Sequence, residues 1–468
     1  MVFSSHIFLL YFLPVFLLAY FLVPSRWRNG VLLLGSVAFY AWGAPDFVLV
    51  LLAATVATFY LVRLMDKAPS RGRKRLWCAL ALVVDLGLLA YFKYANFFVD
   101  NLAALGLNTT GWARVMLPIG ISFFTFQSVT YVVDTYRGVN APMKKLTDYM
   151  VYIIMFPQLI AGPIVRYNEI ADQVTAHRRL RWDECMQGFY RFVIGLSKKV
   201  LIADVVGRTV DVVLAGDLAA LGMGEAWVIL MAYTMQLYFD FSGYRDMAIG
   251  LGRIMGFKFP ENFDNPYIST SVTEFWQRWH ITLGTFMRNY LYIPLGGNRR
   301  GVWRTYFNLW VVFLLSGLWH GAGWNFVLWG AYHGFFLVLE RMTGWGKSTE
   351  KRNPLRVLLT FVVVMVGWAL FRIEDLGDCW IFLTRLFSFS SSQFSILDSQ
   401  FIVTLLVALA FAFITLFPFG KKWQQWVFHT DYRPNQHVVV WAVACLLFFF
   451  SLGALTATDF SPFIYFRF

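Results

Sequence analysis

The chain has 468 residues, of which 58% are hydrophobic, 19% aromatic and only 14% charged. With a mean hydropathy of +0.57 this composition excludes a soluble globular protein and points to a multi-pass membrane protein. The formal net charge of +13 would suit a nucleic-acid partner, but the Lys and Arg residues stand in short clusters between apolar spans, as cytoplasmic loops do. The charge therefore reads as topology, and nucleic acid is excluded.

The N-terminal stretch MVFSSHIFLLYFLPVFLLAYFLVP lacks a basic leader region and a small-residue cleavage signal, so it reads as a retained first span. Val31 to Trp42 and Phe47 to Leu64 follow, separated by a Gly43-Ala44-Pro45-Asp46 turn. If Arg26 to Arg28 and the basic loop from Arg63 to Arg75 are both cytoplasmic, these spans form a hairpin and the N-terminus lies in the periplasm. Trp77 to Ala95 then crosses outward, Leu117 to Val133 returns, and the Arg137 to Lys145 loop lies inside. Tyr149 to Val165 breaks the alternation: it is apolar, yet Pro157, Gly162 and Pro163 interrupt it and another basic stretch follows. Broken backbone at membrane depth needs cover from protein or water, so a re-entrant or kinked element is expected there.

Cys185 to Leu214 crosses outward with Lys198 and Lys199 inside its apolar pattern, and Ala226 to Phe241 comes back. From Tyr244 to Arg304 charge rises and Pro and Gly cluster, which predicts short, partly submerged helices on the cytoplasmic side. Phe307 to Trp319, Trp324 to Leu339, Leu355 to Phe371, Phe401 to Phe417 and Val438 to Leu452 complete the set. At roughly 20 apolar residues per span, the pattern gives an all-α polytopic protein with about 11 transmembrane helices plus re-entrant and interfacial helices. It contains neither a separable soluble domain nor an internal repeat, so residues 1–468 read as one integral-membrane domain with its signature core at 236–340. The four cysteines, Cys78, Cys185, Cys379 and Cys445, are far apart and read as core thiols, without metal-ligand spacing.

The chemistry concentrates between Gln236 and His320. Ser271-Val272-Thr273-Glu274 has capping-box spacing, which starts a helix near Val272 and places Trp276 and His280 four residues apart on one face. His280 there is either a histidine packed on an indole at the membrane interface or a functional group. His320 ends an apolar span and precedes Gly321-Ala322-Gly323, small residues that let another group approach. It fits both a general base and a hydrogen-bonded bundle histidine, and no ligand set for a metal surrounds it. In Leu291 to Arg300, amides at Gly296 and Gly297 together with the guanidiniums of Arg299 and Arg300 could hold the phosphates of a nucleotide-bearing acyl donor, or the loop is a basic turn that sets orientation. Asp240, Arg245 and Asp246 read as a structural ion-pair cluster, with a polar path as the other reading.

Taken together, the segments KYANFF at Lys93, LPIGISFFTFQ at Leu117, LIAGPIVRY at Leu159, YFDFSGYRDMAIG, ENFDNPYISTSVTEFWQRWHITL, LYIPLGGNR, GLWHGAGWNFVLWGAYHG and the terminal FSPFIYFRF resemble the membrane-bound O-acyltransferases, in their alginate O-acetyltransferase branch. The resemblance covers essentially the whole chain. It implies a helical fold around a central tunnel in the bacterial inner membrane, with His320 as the catalytic histidine and His280 as the second signature histidine. Acetyl-CoA is the implied donor, with no tightly bound cofactor, and the implied product is an acetylated secreted exopolysaccharide. The implied partners are membrane lipid and exopolysaccharide pathway proteins, including a periplasmic or membrane-anchored acetyltransferase. Arg288-Asn289-Tyr290 departs from the Arg-Asp-Tyr common in relatives, which puts an acidic role there in doubt. The short polar segment Lys421 to Gln436 leans toward cellulose over alginate as the polymer. A transporter or flippase for an acetylated carrier is the competing class, disfavoured by the lack of repeats.

Overall fold

A computed structural model describes residues 2–160, 162–176, 178–346, 353–389, 398–457 and 463–464; most of the terminal FSPFIYFRF segment lies outside them. The described residues are helical, with one isolated antiparallel bridge between Phe263 and Trp279. In chain order the α-helices are α1 (Leu13–Leu22), α2 (Arg28–Gly43), α3 (Val48–Asp66), α4 (Arg71–Ala104), α5 (Ile121–Arg137), α6 (Leu146–Ile154), α7 (Phe156–Leu159), α8 (Tyr167–Thr175), α9 (Trp182–Ser197), α10 (Asp204–Leu214) and α11 (Met223–Ile254). They continue with α12 (Val272–Arg278), α13 (Ile281–Phe286), α14 (Val302–His320), α15 (Trp324–Thr343), α16 (Pro354–Arg372), α17 (Leu376–Arg385), α18 (Ser399–Phe413), α19 (Pro418–His429) and α20 (Pro434–Ala457). Five are long and apolar enough to cross a membrane, spanning Pro45–Asp66, Arg71–Ala104, Pro354–Arg372, Ser399–Leu416 and Pro434–Ala457. The other apolar segments behind the expectation of about 11 spans form helices that are shorter, interrupted or more polar.

Contacts group the chain into two compact units, Met1–Phe189 with Ala248–Pro260, and Tyr190–Met247 with Glu261–Phe468. In the first unit, the basic residues expected in a loop begin α4 instead. Ser70 caps that helix, its Oγ accepting from the Arg73 amide at 3.3 Å, so only a short turn separates α3 from α4. Tyr149 to Val165 is interrupted as expected: α6 stops at Ile154, Met155 leaves the helical region and α7 restarts for one turn. Among its described residues all but Met150 are buried, and the Ser36 hydroxyl accepts from the freed Phe156 amide at 3.1 Å. A broken backbone is thus covered by protein, as its depth requires.

In the second unit, the Lys198–Ala203 segment joins α9 to α10 as a widened helical turn. Lys199 meets Asp204 at 2.6 Å and Asp240 at 2.8 Å, while Asp246 is held by Arg191 at 2.7 Å and Lys198 at 2.6 Å. Buried charges are tolerated only when paired in this way. Asp240 and Asp246 are therefore structural, and their cations come from the α9 side, not from Arg245. Tyr244 to Ile254, expected among the short helices, continues α11. The α14–α15 hairpin packs backbone against backbone. A Cβ added at Gly317 would lie 2.1 Å from the Phe326 carbonyl oxygen, one at Gly330 2.4 Å from that of Phe313, and one at Gly321 2.0 Å from the Phe326 ring. The small residues after His320 thus admit Phe326 of the same chain.

Candidate active site

Helix α12 begins where the capping box predicts. The Ser271 Oγ accepts from the Glu274 amide at 3.0 Å, and the Glu274 carboxylate reaches one residue further back than expected, to the Thr270 amide at 2.8 Å. The remaining first-turn amides are taken by Glu340 of α15, whose carboxylate accepts from Val272 at 2.6 Å and Thr273 at 2.8 Å. The Val272, Thr273 and Glu274 amides, which have no partner within the helix, are thereby satisfied.

The helix does not carry His280, contrary to the sequence expectation. It ends at Arg278; Trp279 is extended, and His280 takes the left-handed conformation with φ 47° and ψ 52°. The cause is tertiary. The Arg278 carbonyl accepts from the Asp264 amide at 3.0 Å, the Asn262 carbonyl accepts from the Ile281 amide at 3.0 Å, and the Asn262 side chain accepts from the Thr282 amide at 3.0 Å. A non-glycine residue held there costs of order 1–3 kcal/mol, a strain characteristic of functional sites. The ring of His280 consequently leaves Trp276. It lies 4.9 Å from the Phe241 ring and 5.9 Å from the Trp319 ring, with its Nε2 3.5 Å from the Arg245 Nη2. Burial, with the Arg245 charge behind it, holds the imidazole well below the ordinary histidine pKa, so His280 is neutral.

His320 is the last residue of α14 and is buried at 4% exposure. Its ring is walled by Trp319 at 4.9 Å, Trp329 at 5.1 Å and Phe371 of α16 at 5.2 Å. His280 and His320 thus share a neighbour, Trp319, whose ring lies 5.9 Å from the first and 4.9 Å from the second. Sequence reasoning missed His333. It is fully buried on α15, 5.0 Å from Trp329 and 4.9 Å from Trp276. The stacking expected between Trp276 and His280 is realised by Trp329 and His333, which have the same four-residue spacing on an unbroken helix. That spacing within WGAYHG, Trp329 to Gly334, was the available signal.

The turn after the widened helical segment Met287–Tyr292 contradicts half of the donor-loop reading. Gly296 and Gly297 have φ values of 111° and 53°, a region that glycine enters without steric cost. Their amides are not free for a phosphate: Gly296 donates to Ile293 at 3.0 Å, Gly297 to Tyr292 at 2.9 Å, and Arg299 to Gly296 at 3.0 Å. The two glycines serve the turn. Arg299 and Arg300 are exposed on it and are not brought into contact with either histidine.

The arrangement provides two buried histidines, His280 and His320, on a shared tryptophan neighbour, suited to moving a proton away from water. Comparison with known proteins gives the family. The model of the membrane-bound O-acyltransferase family matches residues 78–366. The chain is 43% identical over its full length, and the full length of the relative, to the probable alginate O-acetylase AlgI of Pseudomonas putida. It is 36% identical, over 80% of its length and 78% of the relative's, to the peptidoglycan O-acetyltransferase of Helicobacter pylori. Over 54% of its length and 68% of the relative's, it is 28% identical to the teichoic acid D-alanyltransferase of Bacillus subtilis. The buried histidines, the helical membrane fold and these similarities together place the chain in the membrane-bound O-acyltransferase family, in its alginate O-acetylase-like branch, and make it an acyltransferase.

Proposed function

We propose that this protein moves acetyl groups from a cytoplasmic thioester, acetyl-CoA or a close analogue, across the bacterial inner membrane for esterification of a secreted exopolysaccharide of the alginate or cellulose type. The observation that carries this reading is His320 at the end of α14, enclosed by Trp319, Trp329 and Phe371, where a neutral imidazole can act as a general base. The relatives' names support acyl transfer to cell-surface polymers, with alginate, peptidoglycan and teichoic acid as their acceptors.

In this mechanism a hydroxyl oxygen attacks the thioester carbonyl carbon while His320 takes the hydroxyl proton. The carbonyl π electrons move to oxygen. On collapse the C–S bond breaks, and the departing thiolate takes the proton from His320. Direct transfer is favoured over an acyl-enzyme, which would need an activated nucleophile beside a base. A membrane-anchored or periplasmic partner carries the acetyl group on to the polymer. Arg299 and Arg300 attract the anionic part of the donor at the cytoplasmic mouth, as side chains only. Deleting the gene and restoring either the wild-type or a His320→Ala copy tests the reading. Ester acetate on the exopolysaccharide should return with the first and not with the second. Its return with both would remove His320 from the chemistry.

A further inference from the structure

Asp85 stands near the middle of α4, about 21 Å along the axis from Arg71, in a helix long and apolar enough to cross a membrane. Its side chain is buried, at 4% exposure, and an ionisable group at such depth calls for a partner. The Thr58 hydroxyl of α3 donates to its Oδ1 at 2.9 Å, and the Ser128 hydroxyl of α5 faces the same carboxyl. Ser128 is in turn 2.8 Å from the Tyr149 hydroxyl of α6. All three hydroxyl residues are buried. The Asp85 Oδ2 has no hydrogen-bond partner among the described residues, and no Lys, Arg or His among them pairs with the carboxyl. Lys93, two turns further along α4, bonds to Ser122 at 3.3 Å. The buried Asp240 and Asp246 of the second unit, by contrast, each hold a cationic side chain.

We infer that Asp85, Thr58, Ser128 and Tyr149 form a binding site for a monovalent alkali cation inside the first unit. Hydroxyl contacts at one carboxylate oxygen leave the charge uncompensated, which is costly in a low-dielectric interior. Protonation alone answers the charge and not the bonding. A proton on Oδ2 has no acceptor, and one on Oδ1 competes with the hydrogen that Thr58 places there. A cation at Oδ2 answers both. The donor set is all oxygen, the chemistry that hard cations take, and a hydroxyl that donates to a carboxyl keeps lone pairs for an ion. A single carboxylate sets the charge: a monovalent ion makes the cluster neutral, whereas a divalent one would bury an excess positive charge. Each of α3, α4, α5 and α6 supplies one residue, so the ion ties four helices together. None of the four residues enters the proposed acetyl transfer, and occupancy is read as stability, because a ligand of the folded state alone raises it by mass action.

The test is thermal unfolding of the purified full-length protein in detergent, with sodium chloride as probe and choline chloride holding the ionic strength constant. The wild-type midpoint should rise with the logarithm of sodium concentration. Asp85→Asn keeps the shape and loses the charge, and should unfold at one midpoint in every mixture of the two salts. Thr58→Val removes one oxygen at nearly equal size and should need about fivefold more sodium for the same shift, the factor for one ordinary polar contact. It carries the test if Asp85→Asn does not accumulate. A wild-type midpoint indifferent to the exchange of choline for sodium would overturn the site in favour of a protonated Asp85, whose carboxylic C=O stretch would then appear in the infrared difference against Asp85→Asn. A sodium shift that survives in Asp85→Asn, or at wild-type concentrations in Thr58→Val, would place the ion elsewhere and overturn it too.

Discussion

Arg299 and Arg300 stand exposed on a turn whose amides are already committed to its own carbonyls, so any grip on the donor is through guanidinium charge. The double variant Arg299→Gln/Arg300→Gln should raise the donor KM at least about tenfold, because charge-assisted contacts to phosphate are the strong class, while kcat stays near wild type. Saturation kinetics on purified protein check this, and an unchanged KM would leave the pair with an orienting role only. Of the site residues, His320 and His280 were legible as histidines after tryptophan in an apolar setting. Arg245 was not legible as a neighbour of His280. Flanked by Asp240 and Asp246, it read as their ion-pair partner, but Lys199, Lys198 and Arg191 from far along the chain take those acids. Competition among distant cations decides such pairings, and spacing along one helix does not record it.

Helices α14 and α15 form the frame that places His320, and they meet at glycines. Gly317→Ala would drive a methyl to 2.1 Å from the Phe326 carbonyl oxygen, so the hairpin must open. Overpacking of this kind typically costs about 1–3 kcal/mol. A lower thermal-unfolding midpoint in detergent is expected, with lower activity per folded molecule because Trp329 and His320 move apart; an unshifted midpoint would show that the hairpin can relax. Long apolar periodic segments such as α14, α15, α16 and α20 were readable to within a few residues, since hydropathy alone sets them. The stop at Trp279 was not readable. FWQRWHITL has no helix breaker, and α12 ends because Asn262, Phe263 and Asp264, remote in sequence, capture its backbone. The amphipathic helices α17 and α19 were also missed, lying in stretches too polar to count as spans.

At the scale of the molecule, orientation follows from charge. Helix α4 has 34 residues and begins with Arg71, Arg73, Lys74 and Arg75. At about 1.5 Å per residue it exceeds a hydrocarbon core of about 30 Å, so its basic first turns project beyond the core. A reporter fused after Asp66 should therefore read as cytoplasmic and one near Asn108 as external; the reverse pair would invert the path of the acetyl group. The chemistry itself is the central claim, and thiol release from acetyl-CoA by purified protein tests it most directly. With a hydroxyl acceptor present, wild type should release thiol in step with acetyl-ester formation. His320→Ala should lose about 10²–10⁴-fold in rate while remaining folded. Thiol release by His320→Ala at the wild-type rate, or an acetylated carrier crossing intact with no thiol released, would contradict the account.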